Sequence, residues 1–183
     1  EPDEPAKAER GDWSDIASPP ALDELVLISP GGDAAAIGAA ATRGRIIGEG
    51  ANLARNLSNR AANDVSPEVL ADEARAIAER HGLWIDVLEP DRATELGMGM
   101  FMAIGRGSDN PPRMIVMRSG GAGERDTLDR HLAIVGKGVT FDSGGISIKP
   151  SDRMEEMKMD KIGACTVIAA IGTVARLAPG TPL

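Results

Sequence analysis

Residues 134–167 read IVGKGVTFDSGGISIKPSDRMEEMKMDKIGACTV, and this stretch decides the fold. It continues an apolar run over residues 132–135, which predicts a strand, and it ends inside a run of small and apolar residues that predicts a helix over 160–177. Lys137 and Asp142 directly follow the predicted strand. Because open α/β sheets bind ligands at the carboxyl ends of their strands, the stretch predicts a strand, a functional site and a helix in succession.

The rest of the chain alternates between the two kinds of secondary structure. The patterns predict helices over 33–59, 67–81 and 91–96, and strands over 25–28, 83–88, 101–104 and 113–117. This alternation favours an α/β fold, layered α/β/α with a mostly parallel mixed sheet. Residues 1 to about 20 are proline-rich, charged and without periodicity, and are typical of a linker or tail.

Composition argues against several functional classes. The chain has 183 residues, enough for one domain with a buried core. Twenty Lys and Arg against 28 Asp and Glu give a net charge of −8, which argues against general binding to nucleic acid or anionic membranes. Cys165 is the only cysteine, so an internal disulfide is excluded. With no apolar run near the ~20 residues of a membrane span, the expected location is cytoplasmic.

The glycine-rich stretch combines carboxylates with lysines. Asp142 follows Lys137 by five residues, Lys149 follows Asp142 by seven, and Asp160 follows Asp142 by eighteen. Carboxylates suit divalent cations, and a lysine amine can join them only when neutral. Each residue alone has a simpler interpretation: a turn for Asp142, a solvated charge for either lysine, and dipole stabilisation for Asp160 at a helix start. The combination favours a metal site.

The segment VGKGVTFDSGGISIKPS, residues 135–151, resembles the signature of the leucyl aminopeptidase family, the two-metal cytosolic aminopeptidases. The resemblance extends over about residues 45–183. It includes ANLARNLSNRAANDVSPEVLADEARAIAERHGL at 51–83 and ELGMGMFMAIGRGSDNPPRMIVM at 95–117. It implies a metal-dependent aminopeptidase that removes amino-terminal residues from peptides by means of a two-metal-activated water.

The resemblance also implies a role for each site residue. Asp142 is expected to bridge two metals, and Lys137 and Asp160 to hold one of them. Lys149 is expected to be catalytic, binding the substrate by polarising its scissile carbonyl and stabilising the oxyanion. Met157 is expected to line the pocket for the substrate's first side chain. The implied cofactors are two Zn²⁺ or Mn²⁺ ions, with Mg²⁺ as a further option, and bicarbonate.

Two departures from the family pattern bear on function. Lys161 and Ile162 stand where the family usually has Met and a small residue. The family's later motif, Asn-Thr-Asp-Ala-Glu-Gly-Arg, which carries two more metal-binding carboxylates, is absent. Residues 1–32 are therefore expected to be a linker or the end of an amino-terminal domain, and 33–183 the first part of a catalytic domain that is incomplete at its carboxyl end.

Several functional alternatives remain open at this level. The chain alone is expected to be inactive, with the remaining half of the domain on the same or a companion chain and a hexamer as the family's assembly. A non-catalytic fragment or degenerate homologue used for assembly is one alternative, and a DNA-binding accessory role is another. His81, His131 and Cys165 are predicted to be structural. The segment Gly136-Lys137-Gly138 does not match a phosphate-binding loop. That motif requires Ser or Thr directly after its lysine, and here a glycine follows.

Overall fold

A computed structural model describes residues 23–119 and 132–183, so residues 1–22 of the predicted linker and His131 lie outside the described residues. Its helices are α1 Ala34–Asn59, α2 Pro67–His81, α3 Pro90–Glu95, α4 Gly99–Gly105 and α5 Ile162–Leu177, and its strands are β1 Trp84–Leu88 and β2 Met114–Arg118. A 3₁₀ helix, Met154–Lys161, leads directly into α5. The prediction of a mixed α/β structure is confirmed for these residues.

Local side-chain chemistry sets the ends of the first two helices. The Asp33 carboxylate accepts a hydrogen bond from the Ala35 amide at 2.9 Å at the start of α1. The Ser66 hydroxyl accepts from the Val69 amide at 3.3 Å at the start of α2, where Pro67 occupies the first turn. Gly82 ends α2 with φ 64°, a left-handed conformation that favours glycine. The predicted bounds of α2 are confirmed.

The hydrophobic core lies among α1, α2 and α5. Its buried side chains are Leu57, Val65, Leu70, Ala74, Ile77, Cys165 and Ile168. We call this cluster the three-helix core. Ile85 of β1 and Ile115 of β2 pack against it and are partly buried. The core therefore joins α1 and α2 to α5, the helix that directly follows the 3₁₀ helix.

The sheet differs from the prediction. Within residues 23–119 and 132–183, β1 and β2 form one two-stranded antiparallel sheet in which Trp84 lies opposite Arg118 and Leu88 opposite Met114. The guanidinium of Arg118 lies 4.7 Å from the centre of the Trp84 ring. The mostly parallel sheet is not confirmed.

Three predicted strands are wrong for this structure. Residues 101–104 lie inside α4, because a short apolar run carries no periodicity that distinguishes a strand from a helix. Residues 25–28 and 132–135 belong to no strand, and their apolar side chains are largely exposed. A strand requires a paired neighbour, and neither segment has a ladder partner among the described residues. In the same part of the chain, no helix is both long and apolar enough to cross a membrane.

Candidate functional site

Lys137 and Asp160 form one half of the site. The Lys137 Nζ lies 2.8 Å from Asp160 Oδ1, although 23 residues separate them in the chain. Asp160 lies in the 3₁₀ helix, two residues before α5 begins, so the prediction that it starts the α-helix is wrong. The backbone amide of Ala164 donates to the Lys137 carbonyl at 2.8 Å. The loop that carries Lys137 is thus docked on the first turn of α5.

A contact between two glycines makes this docking possible. We call residues 136–153 the glycine-rich loop. A methyl group placed on Gly136 would lie 2.3 Å from the Gly163 carbonyl oxygen, and one placed on Gly163 would lie 2.7 Å from the Lys137 nitrogen. Both distances are far below van der Waals contact, so a side chain at either position would force the two backbones apart. The close approach brings Lys137 within reach of Asp160.

Asp142 and Lys149 form the other half. The Lys149 Nζ donates a hydrogen bond to Asp142 Oδ2, and Asp142 Oδ1 accepts from the Gly144 amide at 2.9 Å. The Lys149 amide donates to the Ser143 carbonyl at 2.9 Å. Gly144 has φ +90°, a conformation that side chains disfavour. The segment from Asp142 to Lys149 is therefore a turn that is closed by hydrogen bonds between its two ends.

The charges of the two halves act on one another. The hydrogen bond from Lys149 holds the pKa of Asp142 below its usual 3.8, with the Gly144 amide and the charge of Lys137 adding to the effect. The hydrogen bond to Asp160 raises the pKa of Lys137 above 10.5, and the charges of Asp160 and Asp142 add to it. Lys137 thus lies within electrostatic reach of both carboxylates.

The chemistry of these donors fits a cation. Asp160 Oδ2 is buried and accepts no hydrogen bond within the described residues, and an unpaired buried carboxylate oxygen is costly. Two carboxylates and a lysine could supply oxygen and nitrogen ligands to one ion. Over residues 23–119 and 132–183, no group of three His, Cys, Asp or Glu side chains is arranged to hold a metal. Any site here depends on the lysine or on further ligands.

Met157 lies one turn before Asp160 in the 3₁₀ helix and is partly buried. Side chains three residues apart in a 3₁₀ helix lie in line. Met157 and Asp160 therefore project from the same side of this helix.

Lys161, which departs from the family pattern, has a burial beside the site that its local sequence does not predict. Lys161 is completely buried, and its Nζ donates to the carbonyls of Arg60, at 2.8 Å, and Lys158. Burial is the main cause that lowers its pKa. No local signal predicts this burial, since a lysine after an aspartate is ordinarily a solvated charge. Cys165 is also fully buried, and burial raises the pKa of its thiol, which suits its predicted packing role.

Comparison with known proteins gives a consistent set of matches. The cytosol aminopeptidase family, catalytic domain, matches residues 52–182. A probable cytosol aminopeptidase of Methylibium petroleiphilum is 44% identical over 164 residues, covering 89% of this chain and 33% of the relative. One from Syntrophotalea carbinolica is 46% identical over 161 residues, covering 87% and 32%. The chain thus spans about a third of the length of these curated relatives.

Solved structures include a similar protein as well. The bottromycin maturation enzyme BotP, in complex with Mn, superimposes with a TM-score of 0.66 at 41% identity. The superposition covers 74% of this chain and 29% of that chain.

Proposed function

Because the chain belongs to the cytosol aminopeptidase family, we propose that it supplies part of a two-metal centre that removes amino-terminal residues from peptides. The observation that carries the proposal is the junction of the glycine-rich loop with the 3₁₀ helix. There, Asp142, Asp160 and Lys137 act on one another, and a buried Asp160 oxygen has no partner among the described residues. This is the chemistry of a cation site, built from residues widely separated in the chain.

We assign the ligands by resemblance to the family. Asp142 would be the carboxylate shared by the two cations, and Lys137 and Asp160 would hold one of them. Lys137 would have to lose its proton to bind a cation, and two adjacent cations would favour this by lowering the lysine pKa, against the effect of Asp160. When bound, a pair of divalent cations activates a shared water and stabilises developing negative charge. The Mn named with BotP makes Mn²⁺ the first ion to test, with Zn²⁺ and Mg²⁺ next, and bicarbonate stays a prediction.

Lys149 takes a different role from Lys137. Its nitrogen donates to Asp142 Oδ2, whereas the nitrogen of Lys137 pairs with Asp160. With substrate and metals bound, it would donate to the scissile carbonyl oxygen and stabilise the charge that develops on it. Met157, one turn from Asp160, lines the pocket for the first side chain of the substrate.

Further carboxylates are needed to complete the centre. We propose that residues 33–183 form the first part of a catalytic domain after a linker at 1–32. The remaining half, on the same or a companion chain, adds the other ligands. Hexameric assembly and a cytoplasmic location stay predictions. The net charge of −8 weighs against the DNA-binding alternative.

Mn²⁺ titration of the 183-residue chain tests the proposal. We expect about one equivalent to bind, with Asp142→Asn and Asp160→Asn each weakening binding at least about tenfold, because each removes a charged ligand. Asp91→Asn, at an exposed position in α3, is the matched control and should bind as the parent does. Absence of Mn²⁺ binding, or equal binding by all variants, would overturn the proposed site.

Peptidase assay of the same chain tests the incompleteness of the centre. With Leu-p-nitroanilide and Mn²⁺, turnover should fall far below the ~10 s⁻¹ of an ordinary enzyme. The reason is that a second cation lacks enough negative ligands for paired activation of water. Turnover near ~10 s⁻¹ would show that these residues alone build a complete site.

A further inference from the structure

The amino group of Lys161 is buried without a carboxylate partner. The residue is completely buried, and within residues 23–119 and 132–183 it forms no ion pair within 4.0 Å. Burying an ammonium group is costly unless it is paired or well hydrogen-bonded. Its nitrogen donates two hydrogen bonds to backbone carbonyls instead. These two acceptors compensate for the water that the amino group loses on burial.

Those acceptors belong to two elements that are distant in sequence. Arg60 caps the carboxyl end of α1, where unpaired carbonyls and the helix dipole favour a hydrogen-bond donor. Lys158 lies in the 3₁₀ helix, three residues before Lys161. One nitrogen therefore closes the last turn of the 3₁₀ helix and ties that turn to α1 across 101 residues of chain.

Asp160 depends on this attachment because little else holds it. Its Oδ1 pairs with Lys137, which is exposed and is itself assigned as a metal ligand, and its Oδ2 accepts no hydrogen bond within the described residues. The direction of the carboxylate is therefore set by the backbone that carries it. That backbone is held at the next residue, by Lys161.

We propose that Lys161 is a positioning residue that holds Asp160 in place for metal binding by anchoring the 3₁₀ helix to the end of α1. The inference rests on the proposed function, in which Asp160 is a ligand. Lys161 does not touch the metal or the substrate. It acts through the backbone, as outer-shell partners of metal ligands do when they fix a ligand's orientation.

The test compares Lys161→Met with Lys158→Met in the 183-residue chain. Methionine, the family's usual residue at this position, is unbranched and one atom shorter than lysine, and it lacks the ammonium group that donates both hydrogen bonds. Lys158→Met makes the same chemical change in the same 3₁₀ helix, at a partly exposed side chain. Two quantities are measured on each: Mn²⁺ affinity by titration, and amide hydrogen exchange over residues 154–161 with the amides of α2 as an internal reference.

For Lys161→Met we expect exchange over 154–161 to accelerate roughly fivefold or more, as the loss of a hydrogen bond implies, with α2 unchanged. Mn²⁺ affinity should fall about 10–100-fold, the range seen for outer-shell changes. Lys158→Met should change neither. Faster exchange with unaltered Mn²⁺ affinity would show that Lys161 has a purely structural role, and this would overturn the proposal. Unaltered exchange would also overturn it, because the 3₁₀ helix would then not depend on Lys161.

Two further measurements cover the cases in which Lys161→Met does not fold or the parent chain binds no Mn²⁺. If Lys161→Met loses its helical signal in circular dichroism, Lys161→Gln, which keeps two N–H donors, is measured instead. Intermediate exchange and affinity support the proposal, and parental values overturn it. If the parent chain binds no Mn²⁺, the proposed function fails separately. Exchange over 154–161 then decides alone whether Lys161 anchors the helix.

Discussion

Leu57 and Ile77 of the three-helix core are almost fully buried, whereas Ile146 and Ile148 of the glycine-rich loop are exposed. The core is held by apolar side chains from three helices. The loop is held by polar pairs, Lys137 with Asp160 and Lys149 with Asp142, and by the backbone contact of Gly136 with Gly163. The two regions meet at the start of α5.

The difference shows how stability and function are divided in this chain. Apolar burial depends on area and tolerates small shifts, so it stabilises the helices without placing any single atom closely. Ion pairs and carbonyl contacts contribute less to stability but depend steeply on geometry. Changes in the core should therefore alter folding, and changes in the loop should alter the site.

Leu57→Ala should give the largest change in stability. It removes most of a side chain that is 2% exposed, and such core truncations cost about 2–5 kcal/mol. Urea unfolding followed by circular dichroism measures the loss. Leu96→Ala, at a site 59% exposed, is the control and should lie within about 0.5 kcal/mol of the parent. If folded Leu57→Ala also lost Mn²⁺ affinity, the division between core and site would fail.

Lys149→Ala should give the largest change in activity. In the assembled enzyme we expect kcat to fall about 10²–10³-fold with metal content nearly intact, the scale of deleting one oxyanion donor. Lys137→Ala should instead deplete metal first and recover partly at high metal concentration. Paired metal analysis and kinetics separate the two lysines. Metal loss in Lys149→Ala alone would reverse the assignment.

Gly136→Ala should disturb the junction of the two regions. The added methyl would lie 2.3 Å from the Gly163 carbonyl oxygen, so the loop must move off α5. Overpacking of this kind costs about 1–3 kcal/mol, and Mn²⁺ affinity should fall with it because Lys137 is displaced from Asp160. Gly107→Ala, where a methyl meets no atom within 4 Å, is the control. If Gly136→Ala bound Mn²⁺ as tightly as the parent, the contact between Gly136 and Gly163 would not be what positions Lys137 beside Asp160.

Substitution of Glu68, which lies outside the site, should give the smallest effect, a pH-dependent change in the free energy of unfolding. Its carboxylate lies 3.0 Å from Arg75 and 2.6 Å from Arg113. The Arg75 hydrogen bond, then Arg113, lowers its pKa below 4.5. Because the folded pKa lies below the unfolded one, this stabilisation is present above about pH 4.5 and is lost as pH falls through the folded pKa.

Glu68→Gln should therefore reduce the free energy of unfolding above pH 4.5 by about 1 kcal/mol or less, since the pair is partly exposed. The difference from the parent should vanish in acid and shrink at high salt. Urea unfolding on both sides of pH 4.5 measures it. A difference that persists unchanged in acid would assign the effect to packing instead of charge.

Local patterns determined much of this protein in advance. Ser66, Pro67 and Gly82 were enough to predict both ends of α2, because caps act through neighbouring residues. The resemblance of residues 135–151 to a known signature was enough to predict the family, now confirmed by the match over residues 52–182. The individual roles of the site residues stay predictions, since a role depends on what each side chain contacts.

Tertiary structure decided the rest. Residues 101–104 became helix and β1 paired antiparallel with β2, because a short apolar run adopts whichever structure its neighbours complete. Lys161 became buried because the end of α1, 101 residues away, presents a carbonyl to it, and no pattern around Lys161 contains that information. Sequence therefore determined which groups are available for chemistry, and only the packing of distant backbones decided which of them meet.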